Sequence, residues 1–518
     1  MFKKHPKGLV AASLSNMGER FGFYVMMAIL VLFLSAKFGL DKNTAGIIYS
    51  LFYFFIYALA LLGGYIADKT KQYKNTIAAG IAIMAFGYLI IAIPTDTPVS
   101  NFPLMLTVTC IGLFTIALGN GLFKGNLQAL VGQLYDQSPE YAEKRDEGFS
   151  IFYMFINIGA IFAPLFAIGI RNLWLKSQGF LYDADLPALC HSFLGGTLEG
   201  EAMARFNELA TKATIGGASM DPGAFANQYL NAFNTGFHYA FGIAIVAMLI
   251  SFVVFLVNKK GFPDPAQKTE ASAASMSKAE ITMSATEIRQ RLYALFAVFG
   301  IVIFFWFSFH QNGLTLTYFA RDYVDLSMID VNLFGFIPFK GAEIFQVLNP
   351  MFVVCLTPIL LGIFGWLRAK GKEPSAPKKI AIGMGIAAVA YIVMSFGSQG
   401  LPLDADREAM GGLADNMRVT PFLLIGTYLI LTVAELFISP LGLSFVSKVA
   451  PPHLQGIMQG CWLGATAIGN SLLFIGAFFY ERISLSATWG IFVGACLLSM
   501  IVMLSMVKWL ERITTDKA

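Results

Sequence analysis

Apolar residues run in long blocks along this chain, and polar residues gather between them. Twelve blocks can be read, at about 8–39, 43–67, 76–94, 103–134, 148–170, 237–257, 291–319, 345–366, 379–397, 420–447, 457–481 and 484–507. At about 1.5 Å per helical residue, each can cross roughly 30 Å of hydrocarbon. Lipid offers no partner to backbone N–H and C=O groups, so each block is predicted to be an α-helix. The stretches between blocks differ in charge. Lys3, Lys4 and Lys7 precede the first block, Lys69, Lys71 and Lys74 follow the second, and Lys144 and Arg145 follow the fourth. Lys259, Lys260, Lys268, Lys278, Arg289 and Arg291 follow the sixth, and Arg368, Lys370, Lys372, Lys378 and Lys379 the eighth. Lys448 follows the tenth, and Lys508, Arg512 and Lys517 come after the last. On the opposite side, 95–102 carries no Lys or Arg and 404–419 only Arg407 and Arg418. Excess basic residues mark the cytoplasmic side, which predicts twelve spans with both termini in the cytoplasm.

Two connections are long. Residues 258–290 are charged and rich in Ala and Ser, and read as a mobile cytoplasmic linker. They separate 1–257 from 291–518, with six blocks in each. Residues 171–236 lie on the other side, between blocks five and six. Within them Leu198–Lys212 has the pattern of an amphipathic helix, and the whole stretch reads as a surface cap. Two sets of six with an inner linker suit the major facilitator architecture, in which two bundles rock about a midplane site. Gly63-Gly64-Tyr65-Ile66-Ala67-Asp68-Lys69, ending the second block, resembles that superfamily's signature between spans two and three. The fold class expected is an all-α membrane protein, a major facilitator fold with 12 transmembrane helices in two six-helix bundles.

Composition agrees. Hydrophobic residues make up 56% and charged residues 13%, against about 25% charged in soluble domains. The net charge of +4 gives no sign of a nucleic-acid partner. Of the five cysteines only Cys190 lies in a long loop; Cys110, Cys355, Cys461 and Cys496 lie in apolar blocks. No disulfide framework, metal site or cofactor is suggested. Met1-Phe2-Lys3-Lys4 mimics the start of a signal peptide, but Glu19-Arg20 interrupts the apolar run, so an uncleaved first span is expected. No HExxH or GxSxG appears, which argues against an intramembrane enzyme. A channel would need a continuous polar pore, and the mixed buried charges argue against that.

A charge at mid-membrane costs about 2.5–3.5 kcal/mol. The first block nevertheless contains Asn16-Met17-Gly18-Glu19-Arg20-Phe21-Gly22-Phe23-Tyr24. Asn16, Glu19, Arg20, Phe23, Tyr24 and Met27 recur at helical spacing and share one face. That face lines either a polar cavity or an interface where an ion pair locks two helices. Glu19, Lys124 and Glu435 fall at one depth, roughly 18–20 Å above the inner edge. Glu19, Arg20, Lys124 and Glu435 can therefore share one site with balanced charge. Alone, Lys124 could instead snorkel. Trp306, His310, Gln346 and Asn349 make a second layer, roughly 22–33 Å up. A His or Asn there serves equally as a helix contact, and Trp306 and Trp462 as packing aromatics.

Several of these stretches resemble the proton-dependent oligopeptide transporter family, the di- and tripeptide symporters of the major facilitator superfamily. Asn16 to Tyr24 is similar to the family's Glu-x-x-Glu-Arg-Phe-x-Tyr-Tyr, and Gly121-Leu122-Phe123-Lys124-Gly125-Asn126 to its Gly-x-x-Lys-Pro-Asn. Phe152-Tyr153-Met154-Phe155-Ile156-Asn157-Ile158-Gly159 resembles its Phe-Tyr-x-x-Ile-Asn-x-Gly. Phe345-Gln346-Val347-Leu348-Asn349-Pro350 and Ala434-Glu435-Leu436-Phe437-Ile438-Ser439-Pro440 carry the likeness into spans eight and ten. The resemblance implies that Glu19, Arg20 and Lys124 form a coupling cluster in the first bundle, and that Glu435 shares in proton coupling, with the proton carried by Glu19 or Glu435. It implies that Tyr24, Tyr57 and Asn157 line a peptide pocket. Asn349 and Glu435 would hold the peptide's amino end with Ser439 nearby, and Trp306 and Trp462 would shape side-chain pockets.

The chain departs from the family at Asn16 for the first glutamate, Phe23 for a tyrosine, Met27 for an arginine and His310 for an acid. Met27 and His310 would together replace an interbundle salt bridge. Losing both partners avoids a stranded buried charge. His310, near neutral pH, is a further titratable candidate. The expectation is a monomeric di-/tripeptide uptake transporter of a bacterial inner membrane, coupled to protons. The alternative is an uncoupled facilitator or exchanger, or a carrier of another small solute.

Overall fold

The computed structural model describes residues 5–135, 137–142, 144–217, 220–263, 284–329, 331–333, 337–451 and 454–515. Among these residues twelve helices are long and apolar enough to cross a membrane. The first six are Gly8–Phe38, Lys42–Thr70, Tyr73–Ala92, Phe102–Tyr135, Gly148–Ser177 and Pro222–Gly261. The second six are Ala285–Tyr323, Ala342–Ala369, Ala376–Gly397, Phe422–Ser439, Ile457–Tyr480 and Leu485–Ile513. Each predicted block has its helix. The fold is the all-α major facilitator fold, in two six-helix bundles. In the first, span one packs on spans five and six, and spans two and three pack on span four. In the second, span nine packs on spans ten and twelve, and span seven on spans eleven and twelve. The bundles meet where span two crosses span eleven and where span five meets span eight.

Lipid does not drive helices together as water does, so close backbone approach carries much of the packing. Spans three and four show it. A Cβ on Gly80 would lie 2.7 Å from the Gly119 carbonyl oxygen, and one on Gly119 would lie 2.6 Å from that of Gly80.

Spans five and six are longer than their apolar blocks. Span five continues to Ser177, and span six starts at Pro222 rather than at 237. Asp221 caps span six, accepting from the Ala224 N–H at 3.0 Å, with proline in the first turn. The added turns bury Phe225, Tyr229 and Phe233 against protein instead of lipid. The cap therefore shrinks from 171–236 to 178–221. It holds the helices Leu186–Leu194 and Gly200–Ala213, the second matching the amphipathic stretch. Arg171, expected in that loop, is instead buried in span five. It is ion-paired with Glu343 at the start of span eight, and its Nη2 donates to the Lys340 carbonyl at 3.0 Å. Of the expected linker 258–290, residues 264–283 lie outside the described residues.

Two spans are broken toward their cap-side ends, where continuous helices were expected. Span seven passes from Ala285–Phe309 through a 3-10 turn, His310–Gly313, to Thr315–Tyr323. The Asn312 carbonyl, freed by the break, accepts from Gln346 Nε2 at 2.6 Å and the Tyr428 hydroxyl at 2.8 Å. Span eleven breaks between Gln455–Ser471 and Phe474–Tyr480, and Gln311 Nε2 donates to the Leu473 carbonyl there at 3.1 Å. Side chains thus satisfy the backbone groups that lipid could not.

In the cap, Asp183 accepts from the N–H groups of Asp185 (2.9 Å) and Leu186 (3.1 Å). Burial first, and then the Asp185 carboxylate, push the Asp183 carboxyl up to about 6 from an ordinary 3.8. A raised folded-state value means that the proton favours the folded cap. That contribution is complete below 3.8 and is lost as pH rises through about 6. Amide protection factors across the cap are expected to be higher at about pH 5 than at about pH 7.5, and Asp183→Asn to remove the difference. Equal protection in the wild type at both values would refute this.

Candidate functional site

The polar face of span one sits deep in the first bundle. Glu19 is 1% exposed and Arg20 5%. Arg20 grips its neighbour with two bonds, Nε to Oε2 at 2.5 Å and Nη2 to Oε1 at 2.6 Å. Asn120 of span four also donates to Glu19 Oε1. Both carboxylate oxygens are therefore engaged, and the charge-assisted pairing offsets the cost of burying them. Phe23, where the family motif has tyrosine, lies under the guanidinium at 4.5 Å.

Lys124, one helical turn beyond Asn120, is within electrostatic reach of Glu19 and Arg20. Among the described residues it makes no ion pair. Its Nζ stands 4.0 Å above the Tyr57 ring. Tyr57 belongs to a ladder on span two, with Tyr49, Tyr53 and Tyr57 in successive edge or tilted contacts of 5.9 and 5.7 Å. Of the expected group of four, Glu19 and Arg20 form a tight unit with Asn120, and Lys124 stands beside it.

Glu435 stands across, on span ten. It accepts from Asn349 Nδ2 of span eight at 2.8 Å, and that amide also reaches Thr432 Oγ1 at 3.1 Å. No cation neutralises it among the described residues. Tyr24, Tyr57 and Tyr153 of the first bundle are within its electrostatic reach, so residues of both bundles face one space. Ser439 is half-buried one turn beyond Glu435, on the same face.

The layer above is aromatic. His310 Nδ1 lies 2.5 Å from Asn470 Oδ1. Its ring stacks on Trp306 at 4.9 Å and tilts over Tyr53 of the opposite bundle at 4.7 Å. His310 therefore bridges the bundles by ring contact, and Met27 is buried at 5% exposure. Trp462 is buried edge-on to Phe299 at 6.2 Å and fills the room beside Gly442. Asn157 spends its amide on the Tyr153 carbonyl of its own helix, at 3.1 Å.

Sequence reasoning had not assigned Asn120, Tyr53, Tyr153 or Asn470 to the site. Two of them had a readable signal: Asn120 and Tyr53 each precede an assigned residue, Lys124 and Tyr57, by one helical turn. Tyr153 lies within the span-five motif and carries no further signal of its own. Asn470 had none, since its role depends on the break in span eleven.

A family model described as the POT family matches residues 74–285 and 264–488. The chain belongs to the POT family. It is a multi-pass membrane transporter, not an enzyme. This POT protein is 28% identical over 490 residues to an uncharacterized transporter of Bacillus subtilis (strain 168), YclF, covering 91% of this chain and 87% of that one. It is 28% identical over 488 residues to the peptide transporter YePEPT of Yersinia enterocolitica subsp. palearctica serotype O:3 (strain YE-P4), covering 90% and 87%. A crystal structure of a peptide transporter POT in complex with sulfate superposes with a TM-score of 0.72 at 24% identity, over 100% of this chain and 97% of that one. At that identity the likeness speaks for the fold.

Proposed function

We propose that this POT protein takes up di- and tripeptides with protons by alternating access. The carrying observation is the pair of charges left available on opposite bundles. Lys124 has no acid partner among the described residues, and Glu435 is held by an amide alone. A peptide zwitterion supplies what each lacks, its carboxylate to Lys124 and its ammonium to Glu435. Bound in this way it spans both bundles, so occupancy and closure are linked. Tyr24, Tyr57, Asn157 and Ser439 line the path, and Trp306, His310 and Trp462 shape the side-chain end. The peptide transporter YePEPT and a Lactococcus lactis subsp. lactis (strain IL1403) di-/tripeptide transporter, 26% identical over 532 residues, support the substrate class.

Glu19 is the proton site in this scheme. Its carboxylate occupies the fork of Arg20. A proton on Glu19 breaks that ion pair and turns Arg20 toward the peptide carboxylate beside Lys124. Proton and peptide then enter together, which is symport. In this reading both termini lie in the cytoplasm of a bacterial cell and the cap outside, which the basic flanks support, and the monomer is the working unit.

A second reading is uncoupled flux or exchange, or another small solute. It is favoured by Asn16, which cannot titrate, and by the amide partner of His310. Uptake of labelled dialanine into proteoliposomes, with and without an inward proton gradient, separates the two. Accumulation only with the gradient is expected. Equal uptake that stops at equilibration would establish the second reading, and no uptake at all would remove peptides as substrates.

A further inference from the structure

The cap is inserted in the first bundle, yet its charged contacts run to the second. Asp185 Oδ2 accepts from Arg418 Nη2 at 2.6 Å, and Oδ1 lies 3.7 Å from Arg407 Nη1. Both arginines sit on the connection between spans nine and ten. Arg205 of the cap donates to the Leu413 carbonyl of that connection at 3.4 Å. The fit is close. A Cβ on Gly412 (φ +105°) would lie 2.6 Å from the Asp185 carboxyl carbon, and one on Gly411 (φ +73°) 2.9 Å from Ala202 Cα. The connection is also stitched to the end of span seven, through Val419 N–H to the Tyr323 carbonyl at 2.8 Å and Arg418 Nη1 to the Arg321 carbonyl at 3.2 Å. It therefore moves with the second bundle. The cap is held to the first bundle by its own chain and by the 2.8 Å contact of His191 Nε2 with the Ala36 carbonyl. Beside it, Lys42 at the start of span two joins the bundles directly, reaching Asp404 at 2.6 Å and Glu408 at 2.8 Å.

We infer that the cap is a latch on this end of the transporter, with Asp185 closing onto Arg418 and Arg407 to hold the two bundles together. The inference rests on the alternating-access reading above. Asp185 is 5% exposed, and the side chains of Arg407 and Arg418 are 7% and 8% exposed. Arg407 also pairs with Asp404 at 3.1 Å and Glu408 at 3.3 Å, so Asp185 matters most to Arg418, which has no other acid partner among the described residues. Breaking the Asp185–Arg418 pair leaves a buried charge under-compensated only in the closed state, because water solvates it once the end opens. The balance must then shift toward open.

The test uses the full chain in nanodiscs. Spin labels are introduced as a non-natural amino acid at the exposed Asn101 and Gln399, on opposite bundles at the cap end. Pulsed dipolar spectroscopy then reads the open-to-closed ratio. Asp185→Asn is expected to raise it about tenfold or more. Arg418→Gln, which leaves both cap helices untouched, is expected to do the same. The double variant is expected to open no further than Asp185→Asn alone, since that change already removes the Arg418 contact. If Lys42→Gln opens the end but neither Asp185→Asn nor Arg418→Gln does, the latch fails and alternating access stands. If none of the three gives the longer distance, alternating access falls and the latch falls with it.

Discussion

Glu435→Gln is expected to lower dialanine uptake roughly 30-fold or more, because truncating one side of a buried charged contact costs about 2–5 kcal/mol and each 1.4 kcal/mol is tenfold. Glutamine keeps the shape and can still accept from Asn349, whose 2.8 Å bond is the contact the carboxylate now makes. What it lacks is the charge for an ammonium group. The loss therefore depends on the substrate's amino end. Counterflow of an N-acetylated dipeptide, expected to be weak in the wild type as well, is expected to change little. Both uptakes would be measured in proteoliposomes at matched protein content and thermal stability. Wild-type dialanine uptake by Glu435→Gln would remove the ammonium site from this position. An equal fall for both substrates would point to damaged packing instead.

Glu19→Gln is expected to separate transport from its driving force. In the wild type, Arg20 is committed to Glu19 through two bonds of 2.5 and 2.6 Å, and Asn120 adds a third contact. The amide cannot hold a guanidinium in the same way, so Arg20 faces the cavity permanently, as though Glu19 were always protonated. Peptide counterflow is expected to remain within a few-fold of wild type, while accumulation driven by an inward proton gradient falls to equilibration. Because a group of this kind is worth about a tenfold gradient per 1.4 kcal/mol of coupling, even partial decoupling is visible as a lower plateau. Persistent accumulation would move the proton elsewhere, with Glu435 as the remaining acid of the site.

Much of the fold was legible because lipid imposes one rule. A block of apolar residues has to be a helix, and its basic flanks locate its ends. Glu19, Arg20, Lys124 and Glu435 stood out for the complementary reason, as charges where charge is costly. What stayed hidden depended on partners far along the chain. Arg171 looked like the first residue of a loop, because nothing nearby indicates Glu343, its buried ion-pair partner. The extension of span six was hidden for the same reason, since Phe225 and Tyr229 are covered by the cap and not by lipid. The break in span seven had a trace in the sequence, four polar or glycine residues His310–Gly313 followed by a less apolar Thr315–Tyr323. Polar residues there read as helix contacts, and span eleven has only Asn470 and Ser471 at its break. Gln311 and Gln346, which satisfy the freed carbonyls, read equally well as ordinary helix contacts.

The interruption at His310–Gly313 divides span seven into two rods of unequal length. A helix lacking its regular ladder at one turn bends there more readily than elsewhere. The longer rod carries Trp306 and packs against the first part of span eleven, whereas the shorter one, Thr315–Tyr323, meets the cap-side end of that span, at Tyr480, and is tied to the Lys42 carbonyl through Tyr318 and to Val419 through Tyr323. If the bundles alternate as proposed above, the short rod swings with the mouth of the protein while the long rod keeps the wall of the pocket in place. Closing the entrance and emptying the pocket are then two successive movements, with a sealed, loaded intermediate between them.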